Sequence, residues 1–228
     1  MKVLIIGGVA GGATAAARIR RLDEEAEIVI VERSGYISYA NCGLPYYIGG
    51  VIRDFGELTL QTPENFRVRY RIDARVRQEA TEIDTAKKRV KIRVLDTGEV
   101  YEERYDKLLL SPGAKPVVPP LPGVEGDRLF TLRTVEDTVA VKKYIAERKP
   151  RSAVLVGGGF IGLEMAENLR ESGLETAIVQ RGGHLLGTFD EDMACGIHAE
   201  MRRRGVRLYL RADVPGVARE EDCIVTTL

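Results

Sequence analysis

Two rhythms of apolar residues alternate along the chain. Short β-branched runs at residues 2–6, 27–31, 153–156 and 175–179 read as buried parallel strands, each too short and too uniformly apolar for a surface helix. Stretches with helical spacing follow two of them, at residues 13–22 and from 163 to about Ser172, where Gly173 supplies a stop. A further helix is predicted over 193–204 and a strand over 206–210. The middle of the chain differs. Within residues 66–106, alternating stretches at 74–77 and 89–94, with turn signals at Asp84 and Asp96-Thr97-Gly98, predict an antiparallel meander. Its many Arg and Lys residues suit a solvated strand face. An apolar strand at 107–110 runs into Ser111-Pro112-Gly113-Ala114, and a proline-rich connector follows at 115–123. Residues 134–148 read as a helix. The pattern is α/β and divides as 1–114, 115–150 and 151–228.

Glycines occupy the strand-to-helix turns. Gly7-Gly8-Val9-Ala10-Gly11-Gly12 joins the first strand to the first helix, and Glu32 stands about 20 residues on, at the end of the next strand. This is the layout of a dinucleotide-binding βαβ unit. The glycines permit a tight turn and close approach to a pyrophosphate at the helix N-terminus, and the acid can bind ribose hydroxyls. Val9 replaces the middle glycine of G-x-G-x-x-G. The second turn, Gly157-Gly158-Gly159-Phe160-Ile161-Gly162, is complete, but Gln180 and Arg181 stand where an acid would select NAD; Arg181 permits the 2′-phosphate of NADP. One such turn is weak support. Two, about 150 residues apart and each between a strand and a helix, predict two Rossmann-like units holding two dinucleotides, and the usual purpose is hydride relay from nicotinamide to flavin.

Charge excludes some classes. The chain carries 34 basic and 34 acidic residues, so nothing points to a nucleic-acid partner, and no apolar run approaches a membrane span. Three cysteines without paired spacing form no disulfide framework and fit a reducing cytoplasm. No metal-ligand cluster is evident. Cys42 stands out by its setting, Ser38-Tyr39-Ala40-Asn41-Cys42-Gly43-Leu44-Pro45-Tyr46-Tyr47. Pro45 suits the first turn of a helix, which places Cys42 just before an N-terminus where exposed amides favour a thiolate. An isolated cysteine also fits a buried small hydrophobe; the flanking dinucleotide motifs favour a redox role.

These stretches, with residues 105–114 and 157–164, resemble the flavin-dependent pyridine nucleotide–disulfide oxidoreductases of the glutathione-reductase fold type over essentially the whole sequence. The resemblance is nearest to the coenzyme A disulfide reductases. Val9 is usual in that branch. Tyr47 occupies the place of the second cysteine of classical disulfide reductases, so the likeness is to the single-cysteine branch, which includes NADH oxidases and peroxidases that cycle a sulfenic acid. The resemblance implies FAD on Gly7, Val9, Ala10, Gly11, Gly12, Glu32, Arg33, Asn41 and Cys42, with Ala80 at the adenine and Ser111 and Gly113 at the flavin. It implies NAD(P)H on Gly157, Gly159, Phe160, Ile161, Gly162, Glu164, Gln180 and Arg181, coenzyme A on Thr14, Arg18, Arg21, Ser38 and Asn41, and Cys42 as the catalytic thiol. A basic substrate contact of the family falls on Tyr70. The substrate implied is a small-molecule disulfide or persulfide of coenzyme A, and the implied assembly is a homodimer. The family's late FAD segment and dimerisation domain would lie beyond Leu228, so the sequence is read as an N-terminal fragment. A non-catalytic nucleotide-binding fragment is the competing expectation.

Overall fold

The computed structural model describes every residue except 60, 121, 124, 125, 127, 221, 222, 227 and 228, so the connector read at 115–123 lies partly outside the described residues. In chain order the elements are β1 (Lys2–Ile6), α1 (Ala10–Leu22), β2 (Glu27–Val31), α2 (Leu44–Ile48), α3 (Pro63–Tyr70), β3 (Asp73–Arg75), β4 (Gln78–Asp84), β5 (Arg89–Val94), β6 (Val100–Arg104), β7 (Lys107–Leu110), α4 (Val135–Arg148), β8 (Ser152–Val156), α5 (Phe160–Glu171), β9 (Glu175–Gln180), α6 (Glu191–Arg203) and β10 (Arg207–Leu210), followed by a hairpin of Val217–Arg219 and Ile224–Thr226. The chain forms two compact units: Met1–Asn41 with Phe55–Lys115, and Cys42–Asp54 with Pro116–Leu228.

The first unit is built on a parallel sheet in the order β3-β2-β1-β7. Its strands bury both faces, which is why they read as unbroken apolar runs. One face packs Val3, Ile5, Ile28 and Ile30 against Ala13 and Ala16 of α1 and Phe66 of α3. The other packs Leu4, Val29 and Val31 against Val90 and Ile92 of the antiparallel sheet β4-β5-β6. The meander is therefore a lid on the second face. Two features differ from the sequence reading. Residues 74–77 were expected in the meander, but Asp73–Arg75 pairs parallel with β2, in register Val31↔Arg75, and extends the first sheet. Helix α3, at the start of the same stretch, is short and almost without amphipathic character; its cap, Thr62 accepting from the Asn65 N–H with Pro63 at the first turn, carries the signal instead.

A small ionic network ties the layers of this unit. Glu103 on β6 bridges Lys2 on β1 and Arg75 on β3, and Arg75 also holds Asp73 and the Tyr101 hydroxyl. Burial alone would raise the Glu103 carboxyl, but hydrogen bonds from Lys2 and Arg75 outweigh it and hold it below its usual value.

The second unit has a three-stranded parallel sheet, β10-β9-β8. Helix α5 packs Leu163 and Ala166 on Ile178 of β9 beside Met201 of α6, and turns Met165 and Leu169 toward Val141 of α4 and Ile48 of α2. Helix α4 starts at a capping box in which Thr134 and Asp137 each satisfy the other's backbone N–H.

Glu103→Gln is expected to lower the stability of the first unit at pH 7 by about 2 kcal/mol, the scale of hydrogen bonds to charged groups, measured from its urea midpoint. The Glu103 pKa is depressed, so its contribution is present above the unfolded value near 4.5 and is lost as pH falls through the folded value. The difference between wild type and variant should shrink on acidification; a difference that grows below pH 4 would show that the network is not its source.

Candidate dinucleotide and cysteine sites

The two glycine turns repeat one construction. Gly7 and Gly157 sit at φ +97° and +111°, left-handed values that other residues rarely adopt. Each donates its N–H to the end of the neighbouring strand, Gly7 to the Val31 carbonyl and Gly157 to that of Val179, both at 2.9 Å. A Cβ on Gly12 would stand 1.8 Å from the Gly7 carbonyl oxygen, and one on Gly162 would stand 2.1 Å from that of Gly157. The last glycine of each motif is thus a packing residue that lets the helix lie on its own incoming turn. Gly159 differs: its φ is −82° and a Cβ there would meet nothing within 4 Å. Its counterpart Val9 carries a side chain at the same N-cap place on α1. The departure from the generic motif therefore costs the fold nothing.

Both turns aim an unsatisfied helix end outward. Neither α1 nor α5 has a side-chain cap or an acidic residue in its first turn. By contrast, α3 and α4 have threonine caps, and α3, α4 and α6 all have acids in the first turn. The orphan N–H groups and partial positive charge of α1 and α5 are left for an anion from outside, which is the donor chemistry a pyrophosphate needs.

Around the first turn the structure assembles Gly7, Val9, Ala10, Gly11, Gly12, Glu32 and Ser111, with Gly113 two residues further along the chain at φ +71°. A Cβ on Gly7 would press on the Ser111 carbonyl at 2.0 Å, and one on Gly11 on the Ser111 hydroxyl at 2.5 Å, so the end of β7 closes against the loop. Glu32 accepts from the Gly8 N–H at 2.7 Å and the Ser34 N–H at 2.8 Å; its carboxylate braces the loop. Arg33 is exposed and reaches Glu79 at 3.7 Å, beside Ala80 on β4. Ser38 takes φ +46° and donates its N–H to the Gly8 carbonyl, and Asn41 begins the 3₁₀ turn Asn41–Gly43. Thr14, Arg18 and Arg21 are all exposed and share one face of α1, three to four residues apart.

In the second unit Gly158 donates to the Gln180 side-chain oxygen at 2.9 Å, so Gln180 braces its loop as Glu32 does. Leu186 donates to the Gly158 carbonyl at 2.7 Å. Arg181, Phe160 and Ile161 are exposed, and Phe160 meets Phe189 edge to face. His198, buried on α6, accepts from the Leu185 N–H at 3.0 Å and pins the same loop. Burial, with Arg202 and His184 against a smaller opposing effect of Glu191, pushes His198 below its usual value, which keeps it a neutral acceptor.

Cys42 is exposed, in the 3₁₀ turn ahead of α2. Gly43 is the N-cap and Pro45 lies in the first turn of α2, where a missing N–H is harmless. Leu44, Pro45 and Ile48 are buried, so the residues after the cysteine are fixed by packing while its thiol stays open to solvent. Lys142 of α4 donates to the Tyr47 carbonyl at 2.6 Å with its ammonium 3.5 Å from the Tyr47 ring centre, clamping the end of α2. Asn168 of α5 lies against Gly49, where a Cβ would be 2.3 Å from its side-chain oxygen. Burial, then Glu164, Glu167 and Cys42, push the Tyr46 phenol up, and burial with Glu167 pushes Glu164 up. Tyr46, Lys142, Asn168 and His198 escape sequence reading, because each acts through an element distant in sequence. Among the described residues no His, Cys, Asp and Glu cluster could hold a metal ion, and no helix is long and apolar enough to cross a membrane.

Two uncapped glycine turns and an exposed cysteine ahead of a packed helix define an α/β dinucleotide-type oxidoreductase scaffold. The chain belongs to the pyridine nucleotide-disulphide oxidoreductase family, whose profile matches residues 1–228. It is 38% identical to the coenzyme A disulfide reductase of Staphylococcus aureus over 220 residues, 96% of this chain and 50% of that protein. A CoADR-RHD structure from Bacillus anthracis in its reduced form superposes with a TM-score of 0.94 at 47% identity, covering 100% of this chain and 42% of the other. An NAD-dependent persulfide reductase from A. fulgidus gives 0.93 at 34% identity, covering 99% and 42%. The chain spans about half the length of the curated relatives it matches.

Gly12→Ala and Gly162→Ala should each destabilise their unit by roughly 1–3 kcal/mol or more through overpacking, whereas Gly159→Ala should leave the melting temperature nearly unchanged. Circular dichroism melts of the three variants, without nucleotide, test this. Equal melting temperatures for all three would remove the packing role. Separately, His198 has a depressed pKa, so the stability it supports is present above about 6.5 and is lost as pH falls through the folded value. His198→Gln should flatten the fall in second-unit melting temperature between pH 7 and pH 5; an unchanged slope would assign the fall to other groups.

Proposed function

We propose that the chain is the dinucleotide-binding half of a flavoprotein that uses NAD(P)H to reduce a disulfide or persulfide of coenzyme A through Cys42. The observation that carries this reading is the combination of two acid-free, uncapped helix ends at glycine turns with one exposed cysteine held at the start of a packed helix. The likeness to a coenzyme A disulfide reductase and to a persulfide reductase supports it.

In this reading Gly7 to Gly12, Glu32, Arg33, Ala80, Ser111 and Gly113 hold FAD, and Gly157 to Gly162, Glu164, Gln180 and Arg181 hold NAD(P)H. When bound, the flavin supplies the two-electron path from nicotinamide to the cysteine. Thr14, Arg18 and Arg21 present a hydroxyl and two guanidinium groups on one exposed helix face, suited to coenzyme A phosphates. The Cys42 sulfur attacks one sulfur of coenzyme A disulfide; the S–S bond breaks, one coenzyme A thiolate leaves, and a mixed disulfide remains. Two electrons then cleave it, returning the Cys42 thiol and the second coenzyme A. Packing of Leu44, Pro45 and Ile48 keeps the cysteine turn in place through both states.

Cys42→Ser in the whole protein is expected to retain FAD and to be bleached by NAD(P)H, yet to lose coenzyme A disulfide turnover at least about 1,000-fold, because a hydroxyl cannot form the mixed disulfide. Cys195→Ser and Cys223→Ser should stay active. Mass spectrometry of the protein as isolated should find coenzyme A on Cys42. Full turnover in Cys42→Ser would sink the mechanism, and a sulfenic acid on Cys42 in place of coenzyme A would redirect it to peroxide or oxygen.

A further inference from the structure

The two units share backbone hydrogen bonding beyond their glycine turns, and their charges diverge there. Past β2, the Glu32 carbonyl accepts from Gln78 at 3.0 Å and the Ser34 carbonyl from Arg77 at 3.0 Å. Past β9, the Gln180 carbonyl accepts from Ala212 at 3.2 Å and the Gly182 carbonyl from Arg211 at 3.0 Å. Arg77 and Arg211 both take left-handed backbone, at φ +56° and +54°. Arg211 is therefore the counterpart of Arg77, and Arg181 that of Arg33. In the first unit both arginines are neutralised within the unit: Arg33 faces Glu79, and Arg77 grips Asp96 at 3.0 Å. In the second unit both guanidinium groups are exposed, and neither has a hydrogen-bond or ion-pair partner among the described residues.

The guanidinium of Arg211 also packs close to a glycine. It lies over Gly183, where a Cβ would stand 3.3 Å from Nε and 3.6 Å from one terminal nitrogen. Gly183 has no positive φ, so the backbone does not demand glycine there; a side chain would crowd the arginine. Since Leu210 pairs with Gln180, the chain leaves β10 at Arg211 beside the point where it leaves β9 at Arg181. That is the strand end at which a dinucleotide fold meets the adenosine ribose, and the residue that would repel a phosphate there is absent.

We propose that Arg211 is a specificity-determining residue of the second dinucleotide site, forming with Arg181 a two-arginine seat for a phosphomonoester on the adenosine ribose, so that the unit selects NADPH over NADH. The inference rests on reading the second unit as the nicotinamide-dinucleotide site. Two guanidinium groups carried on adjacent strand ends match a phosphate dianion, and without an acidic partner among the described residues they are open to an external anion.

Calorimetric titration of the 228-residue chain with AMP and with adenosine 2′,5′-bisphosphate tests both layers separately. Wild type should bind the bisphosphate at least about tenfold more tightly, the scale of one charge-assisted hydrogen bond. Arg211→Asn, a residue tolerant of left-handed backbone, should cut bisphosphate affinity about tenfold and leave AMP within about twofold, with the melting temperature unchanged. Arg211→Lys, which keeps charge but loses the fork, should fall between. An unchanged preference in Arg211→Asn, or no preference in wild type, would overturn the role of Arg211 while leaving the site itself standing. Failure to bind either compound would overturn the dinucleotide site and the proposal with it.

Discussion

The rest of the structure depends on one contact made twice, a helix laid so closely over its own entry turn that no β-carbon fits between them. At Gly12 and Gly162 the room left is under 2.2 Å from a carbonyl oxygen. That closeness fixes the helix axis relative to the strand, and so fixes where the uncapped amides of its first turn point. At α3, α4 and α6 the chain spends threonines or acids on quieting helix ends; at α1 and α5, as at the short α2, it spends none. The same local economy leaves those ends with the unpaired donors and partial positive charge that suit an anion.

The legible parts of the fold were those whose signal is local. Strands β1, β2 and β7 could be bounded from uniform apolar runs, and the glycine turns and Pro45 from the backbone demands they meet. Helix α3 was not, because its faces differ little and a cap alone announces it. Residues 74–77 were placed in the meander, whereas Asp73–Arg75 pairs with β2, because alternation reports a strand and a half-buried face, not the partner it pairs with. The site shows the same division. Glycines, Glu32 and Cys42 are readable as motif members. The bracing of Gly8 by Glu32, the pinning of Leu185 by His198 and the clamp of Lys142 on Tyr47 link residues 13 to 95 positions apart, and no window of sequence contains them.

Repetition within the chain makes differences between the units interpretable. Glutamate and glutamine do one structural job in the two loops, accepting from Gly8 and Gly158, so their difference in charge is free to serve binding. Valine and glycine do another as N-caps at Val9 and Gly159, and a Cβ at Gly159 would meet nothing within 4 Å. The positions that demand glycine, the first and last of each motif, are those with a left-handed backbone or a carbonyl oxygen that a β-carbon would clash with.

The cysteine segment belongs by contact to the second unit although it is encoded inside the first. Ile48 is buried with Val141, Met165, Leu169 and Leu174, all of them more than ninety positions later. Modularity in this chain is therefore spatial and not genetic. A gene divided after Lys115 would give a leading piece in which the residues that flank the thiol have lost their packing partners, and a trailing piece with an uncovered hollow where α2 belongs. The residues around Cys42 and those that bury the helix after it therefore form one packed block drawn from both ends of the chain.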